Sequence, residues 1–588
     1  MILQALTSLY EALAPKGEVP KEGWSREKIS FALGIDENGD LLRITPLFKP
    51  GDMPKEKKKE IPQEMTVPAA VKRTSGVAAN FLWDNSSYIL GVSLKKGEND
   101  AKREKRRNKD IKCFEACREL HHSMLDGMEY PAAKAVLNFL DKWEPQKAEE
   151  NNLVAQYAKE ILSGANMVFR FNGGYVHDDP QLASVWQKAN AKQKDNIGQC
   201  LVTGALDEIQ KTHPTIKGVQ GAQSSGAALV SFNASAFCSY NKEQNQNAPV
   251  GKYAAFAYTT ALNHLLADRK NVHRIGDASV VCWAENADKQ YEDFAAEVFF
   301  GDNVDKSDEQ RLSALRTSLK LLADGLPCKE MDLDPDRKFY ILGLSPNAAR
   351  IAVRFFYCDS FGKIAGNIYR HHERLEIVRP SYDKFPILPL WKLLSATVNP
   401  NAKDKTPNAA MAGAVARAVF SGGRYPASLL ECTFLRIKAE RNITRERAAI
   451  IKAYYLRNPN EKCPKEVLTV SLNENSKNIP YTLGRLFSVY EEIQQAANPG
   501  INTTIKDRYF GSAAAMPATV FPILSNLAQK HLRKLSDAQR VYLDKKVMTL
   551  KSVLGEQYPA HMSLPEQGSF DLGYYHQTQA RYTKKEDK

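Results

Sequence analysis

Ile29-Ser30-Phe31-Ala32-Leu33-Gly34-Ile35, Asp36-Glu37-Asn38-Gly39-Asp40 and Leu41-Leu42-Arg43-Ile44-Thr45-Pro46-Leu47-Phe48 run together near the start of the chain. Two apolar runs around an Asn-Gly step predict a β-hairpin, because that dipeptide accepts the positive φ angles of a tight hairpin turn. The acidic turn resembles half of a calcium loop, but its twelfth position is Leu47, where a bidentate glutamate is needed. Ahead of the hairpin, Gln4, Ser8 and Glu11 interrupt apolar residues at helical spacing with no basic lead-in. That segment reads as an amphipathic helix, not a signal peptide. Behind the hairpin, the proline-, lysine- and glutamate-rich stretch 46–68 predicts a solvated linker or long loop. A short strand is expected at 88–94.

Further on, 167–171 turning on Asn172-Gly173-Gly174 before His177 predicts a second hairpin. Helices are expected at 254–266 and 308–322, and strands at 228–232, 279–283 and 339–344. After residue 400 the texture becomes helical: 409–420 stopping at Gly422-Gly423, then 442–456, 520–535 and 541–554. The expected architecture is a multidomain α+β chain, with a mixed α/β N-terminal portion containing hairpins and a C-terminal helical bundle. Its regions are expected at 1–130, 131–400 and 401–588. No repeat of solenoid length is visible, and no apolar stretch reaches the 18 or more residues of a membrane span.

The 588 residues are 43% hydrophobic and 25% charged, which supports several cores and excludes global disorder. Lysine and arginine number 81 against 68 acids, a net charge of +13, which points to a polyanionic partner rather than a small anionic substrate. Nine scattered cysteines suggest reduced thiols and a cytoplasmic protein. The densest basic run is Lys102-Arg103-Glu104-Lys105-Arg106-Arg107-Asn108-Lys109. It leads a helical pattern, and Arg103, Lys105, Arg106, Arg107 and Lys109 are candidate phosphate contacts; a solvated face is the competing reading.

Several patterns bear on catalysis. Cys113, Cys117 and His121 have metal-like spacing, but on one helix the outer two lie about 12 Å apart along the axis, too far for one zinc without a break. Neither a zinc-protease motif at His371-His372-Glu373 nor a nucleophile elbow is complete. Asp332, Asp334 and Asp336 alternate around Pro335 and offer a weak case for a metal-dependent nuclease, with an exposed acidic loop as the simpler reading. The glycine-rich stretch 217–226 lacks the Gly-Lys-Ser/Thr of a phosphate loop. Its glycines still permit close backbone approach to a phosphate, and Gln220, Gln223, Asn233, Gln244, Asn245 and Asn247 add amides of the kind used on base edges. Lys72-Arg73-Thr74-Ser75-Gly76 followed by Asn80-Phe81-Leu82-Trp83-Asp84-Asn85 mixes phosphate binders, amides and aromatics.

Taken together, these blocks resemble one family. Arg73-Thr74-Ser75-Gly76, 80–85 and Tyr88-Ile89-Leu90-Gly91 resemble the N-terminal block of the large subunit of the type I-C CRISPR surveillance complex, Cascade. The similarity continues through Cys200-Leu201-Val202-Thr203-Gly204, His213-Pro214, 218–233, Asn247-Ala248-Pro249, Phe256-Ala257-Tyr258, and 342–347 with Arg350 and Arg354. It closes with 470–473, Leu483-Gly484-Arg485-Leu486-Phe487, 505–510, Gln567-Gly568 and Gly573-Tyr574-Tyr575-His576-Gln577. Val77-Ala78-Ala79 stands where a lysine-proline-like pair is expected in relatives.

The resemblance implies a non-catalytic DNA-recognition subunit, without metal or cofactor, acting in antiviral defence. Its implied partners are crRNA, double-stranded target DNA and its displaced single strand, the Cascade backbone, crRNA-end-binding and small subunits, and the CRISPR helicase-nuclease, with no membrane. The C-terminal helices resemble the small subunit. On this reading the protein reads a protospacer-adjacent motif while guide pairing reads sequence. Lys72, Arg73, Thr74, Ser75, Asn80, Trp83 and Asn85 are expected at the motif, the asparagines presenting amides to bases and Trp83 stacking or lying in a core. Gln220, Gln223, Ser224, Ser225, Asn233 and Asn245 are expected at the duplex or at strand separation. Lys438, Arg441, Arg445 and Lys452 are expected to form a basic stripe for the single strand. An architectural scaffold without motif reading is the main alternative.

Overall fold

The computed structural model describes residues 1–50, 60–71, 73, 76–95, 99–191, 196–301, 309–383 and 385–582. Its N-terminal part runs α1 (Ile2–Leu13), β1 (Trp24–Ile29), β2 (Phe31–Ile35), β3 (Leu41–Pro46), β4 (Phe48–Pro50), β5 (Glu60–Pro68), β6 (Trp83–Asn85), α2 (Ser86–Ile89), α3 (Asp100–Leu125), α4 (Pro131–Lys142), β7 (Asn166–Phe171) and β8 (Gly174–Tyr175). The first hairpin is β2–β3, with Phe31 opposite Pro46. Asp36 Oδ1 accepts the N–H groups of Asn38 at 3.0 Å and Asp40 at 2.8 Å, so this carboxylate closes the turn. Gly39, at φ 82°, lies against α4, where a Cβ would come within 2.3 Å of the Phe139 backbone nitrogen.

β7 joins β2 in parallel and β6 pairs antiparallel with β7. Alternation sends Phe31, Leu33 and Ile35 into a core with Val136, Phe139 and Phe169. Ala32 and Val168 face the other way, onto Val67 and Trp83. The second hairpin is present as β7–β8.

Two local expectations fail. The stretch 46–68 is not simply a linker, because β4 and β5 form a three-stranded sheet with β1; 51–59 lie outside the described residues. Its prolines masked a period-2 pattern in which Val67 is buried and Met65 packs beside it. Residues 88–94 are not a strand: Tyr88 and Ile89 belong to α2, and Gly91 then turns the chain at φ 67°.

The middle of the chain contains the short hairpin β9 (Ile197–Gln199) and β10 (Leu206–Glu208), then α5 (Lys252–Ala267) and an antiparallel meander of β11 (His273–Ile275), β12 (Ala278–Ala284), β13 (Lys338–Asn347) and β14 (Arg350–Ser360). Every residue of β12 is buried, because both faces of this sheet are covered. Val281, Trp283, Leu342 and Leu344 meet α5 and, unexpectedly for the first element of the chain, α1. Val280, Cys282, Phe339 and Ile341 meet the helical half. The expected strand at 228–232 reduces to one bridge, Ala228 with Arg350, and its apolar residues Leu229, Val230 and Phe232 are only half-buried.

After the sheet come α6 (Phe361–Leu375), α7 (Ala409–Ser421), α8 (Ala427–Glu440), α9 (Arg445–Arg457), α10 (Ile479–Ala497) and α11 (Leu564–Ala580). The α+β character and the C-terminal helical region are as expected. One core runs from Phe31 to Trp186, across residue 130, and another from Ile275 to Tyr575, across residue 400.

The tightest helix contact is α10 against α11. A Cβ on Gly484 would lie 2.0 Å from the Phe570 carbonyl oxygen, and one on Gly573 would lie 2.1 Å from that of Tyr481. Polar bonds flank the crossing: Tyr481 Oη with His576 Nδ1 at 2.9 Å, Arg485 Nε to Gln577 Oε1 at 3.1 Å, and Tyr574 Oη to Glu491 Oε2 at 2.6 Å. Gly484→Ala or Gly573→Ala should therefore destabilise the chain by about 2 kcal/mol or more through overpacking. Gly511→Ala, on a helix where a Cβ meets nothing within 4 Å, should be neutral or stabilising by up to about 1 kcal/mol. Urea denaturation of the three variants checks the contrast.

Candidate nucleic-acid interface

The segment between β5 and β6 is shaped by Asp84, whose carboxylate is buried. Asp84 Oδ2 accepts the N–H of Asn80 at 2.9 Å and also pairs with the Arg73 guanidinium, while Oδ1 accepts the N–H of Asn85 at 2.8 Å. Arg73 in turn donates through Nε to the Ala78 carbonyl at 2.6 Å and lies 3.9 Å over the Tyr88 ring. Burial pushes the Asp84 carboxyl up, and Arg73 opposes that shift. A loop rich in small residues thus acquires a fixed path from one carboxylate and its ring of donors.

This geometry changes the roles expected of the two asparagines. Asn80 is 3% exposed, and its Oδ1 accepts the N–H of Val71 at 2.9 Å. Asn85 caps α2, its Oδ1 accepting the Ser87 N–H at 3.0 Å. Both amide oxygens organise the loop rather than face outward. Trp83 is in the core, its Nε1 donating to the Pro68 carbonyl at 2.7 Å, so it does not stack on a base here. Lys72, Thr74 and Ser75 lie outside the described residues.

Beneath the loop stands His121, fully buried on α3. The Leu82 N–H reaches His121 Nε2 at 2.9 Å, and His121 Nδ1 lies 2.7 Å from the Cys117 carbonyl of its own helix. A backbone N–H can only donate, so Nε2 holds a lone pair and Nδ1 the proton. Burial lowers the imidazole pKa to about 4. Both ring nitrogens of His121 are thus engaged within the fold, and the described residues contain no group of three metal-ligating side chains.

The other end of α3 carries the basic run. Arg103, Lys105, Arg107 and Lys109 are exposed with no carboxylate within 4 Å among the described residues. Arg106 turns inward to Asp110 at 3.4 Å, and Asp110 also accepts from Ser93 at 2.7 Å. The run is therefore a cationic face with one internal staple.

In the glycine-rich stretch, Gly218, Gly221 and Gly226 all have positive φ, and a Cβ on Gly226 would come within 2.8 Å of Thr215. The Gln220 N–H is tied to Ser279 Oγ at 3.1 Å. This is a turn docked on the central sheet, yet it leaves Gln220, Gln223, Ser224, Ser225 and Asn233 exposed. Asn245 departs from expectation: it is 3% exposed and donates through Nδ2 to the carbonyl of Gln210 at 2.7 Å. Sequence reading missed Tyr240, which stands 94% exposed in a left-handed turn; Arg350, already part of the resemblance, is stacked 4.6 Å over Phe237.

The C-terminal basic stripe is not continuous. Lys438 and Arg441 are exposed, but Arg445 and Lys452 are internal. Arg445 pairs with Asp383 at 3.0 Å and bonds the carbonyls of Phe385 and Pro386. Lys452 Nζ caps the end of α6 through the carbonyls of Arg374 at 3.2 Å and Glu376 at 2.7 Å, and burial lowers its pKa to about 8. Helical spacing placed these charges together without revealing that Arg445 and Lys452 pack inward. Asp332, Asp334 and Asp336 form an exposed turn in which Asp334 Oδ1 accepts the Asp336 N–H at 2.9 Å.

Residues 6–582 match the family described as CRISPR-associated protein (Cas_Csd1), which makes the chain a CRISPR-associated Cascade subunit. It belongs to the Csd1 family, that of the type I-C large subunit. No curated protein sequence matches the chain. Among the described residues no helix is long and apolar enough to cross a membrane.

Two outcomes follow from the buried groups. Above about pH 6.5 His121 is neutral in both the folded and unfolded chain; on acidification only the unfolded chain takes up a proton until the pH nears 4. Stability should therefore fall by about 2 kcal/mol between pH 7 and pH 5 from this group alone, and urea midpoints of His121→Gln should fall less than those of the unsubstituted protein. In the helical half, Arg445→Ala should cost about 3 kcal/mol, whereas Lys438→Ala should stay within about 0.5 kcal/mol, as read by chemical denaturation.

Proposed function

We propose that this chain is the non-catalytic DNA-recognition subunit of a crRNA-guided type I-C Cascade: it reads the protospacer-adjacent motif, promotes strand separation and R-loop formation, and recruits the CRISPR helicase-nuclease. The observation that carries this reading is that one helix, α3, both touches the Asp84-ordered loop through His121 and carries Arg103, Lys105, Arg107 and Lys109, exposed and without a carboxylate partner among the described residues. Phosphate contacts fix register and base-edge contacts carry sequence information; α3 carries the cations and, through the Leu82 N–H on His121 Nε2, holds the loop that would meet the bases. In this arrangement the cations hold the duplex backbone. Lys72, Arg73, Thr74 and Ser75 meet the motif, while Asn80, Trp83 and Asn85 shape the loop from within.

Gln220, Gln223, Ser224, Ser225 and Asn233 form a second polar surface, suited to the duplex near the point of strand separation. The crRNA and the backbone, crRNA-end-binding and small subunits complete the particle. The architectural alternative gains support from the internal bonding of Asn80 and Asn85, which leaves fewer outward amides than expected.

Reconstituted complexes with and without this chain, presented with guide-matched duplexes carrying randomised flanks, separate the two readings. Motif reading gives a flank preference that vanishes when the chain is omitted; a scaffold gives uniform loss of binding. Replacing Arg103, Lys105, Arg107 and Lys109 by alanine should weaken binding evenly across flanks and reduce the slope of log affinity against log salt by roughly 3 to 4.

A further inference from the structure

Leu82 is a buried, non-glycine residue held at φ 62°, a conformation that crowds its side chain. Such a residue persists only where its surroundings over-determine it. Here they do so through one imidazole. His121 Nε2 accepts the Leu82 N–H at 2.9 Å, and its other nitrogen is fixed to the Cys117 carbonyl at 2.7 Å. Phe81 stacks on the same ring at 5.5 Å and 22°, and on Trp186 at 5.7 Å and 9°. His121 is thus gripped on its face and at both nitrogens, with no solvent access.

We propose that His121 is a positioning residue for motif recognition: it holds the strained turn at Leu82, and through it the Arg73–Asp84 clasp, in register with the cationic face of α3. The proposal rests on the reading of this loop as the motif site. Its physical content is that one helix carries both the phosphate-binding cations and the acceptor that fixes the loop. When the cations seat on the duplex, the loop is delivered at a set height and rotation. Losing the acceptor would strand the Leu82 N–H in a dry interior, and the turn would relax to a conformation that no longer aligns Asp84 with Arg73. No charge at the surface changes, so backbone affinity stays the same while selectivity falls.

Full-length chain carrying His121→Phe, which keeps the ring stack but has no acceptor, and His121→Gln, which restores one, are assembled into the complex and tested on guide-matched duplexes with randomised flanks. His121→Phe should lower the ratio of preferred to disfavoured flank binding about tenfold with an unchanged salt slope, and His121→Gln should recover most of it. Equal flank ratios for His121→Phe and the unsubstituted complex overturn the proposal, as does a Gln variant as impaired as the Phe variant. An unsubstituted complex with no flank preference overturns the underlying reading instead, and the proposal with it. Should His121→Phe fail to fold, amide exchange on the unsubstituted chain decides: the Leu82 N–H should exchange as slowly as the interior amides of α3, and exchange as fast as that of an open loop overturns the proposal.

Discussion

Two helices of the C-terminal half touch backbone to backbone because Gly484 and Gly573 have no side chain, and much of the molecule follows from that contact. With carbonyl oxygens about where a Cβ would sit, α10 and α11 can exchange hydrogen bonds through Tyr481, Arg485, Tyr574 and Glu491 while their apolar residues fill the largest core. That core continues without a break to one face of the β11–β14 sheet, whose other face receives α5 and the N-terminal α1. A sheet covered on both sides therefore joins the helical half to the glycine-rich turn.

The cations of the chain divide into two physical kinds. Arg445 and Lys452 are structural: each meets carbonyl oxygens or a carboxylate in a dry setting, and each ties a helix to a neighbouring segment. Arg103, Lys105, Arg107 and Lys109 face solvent without carboxylate partners among the described residues, where charge is available to phosphates. The net charge of +13 alone does not distinguish these kinds; burial does. Arg73 stands between them, paired with Asp84 and stacked on Tyr88 while part of its side chain remains exposed.

Legibility in the sequence followed from how local each signal was. The Asn38-Gly39 hairpin and the helix stop at Gly422 rest on backbone preferences within a few residues, and both are present. The strand β5 was obscured because Pro62 and Pro68 read as breakers, and only its pairing with β1 reveals the alternation ending at Val67. Family resemblance located the loop at 73–85 but not what its residues do there. The contact between Leu82 and His121 spans 39 positions, and no periodicity announces it. Equally, the stripe of Lys438, Arg441, Arg445 and Lys452 followed helical spacing, while its orientation depended on the distant segment 374–386. Buried partners remote in sequence are what turned candidate readers such as Asn80 into supports.

The central claim is that the β5–β6 loop and the cationic face of α3 meet the same duplex. Photo-crosslinking tests it most directly: a photoreactive base is placed within the flank of a guide-matched duplex bound by the assembled complex, and the attached peptides are mapped. The account predicts crosslinks to residues 69–79 from the flank and, when the reactive group is moved to the neighbouring backbone, to residues 102–112. Crosslinks confined to the C-terminal helices, with both of these peptides unlabelled, would contradict it.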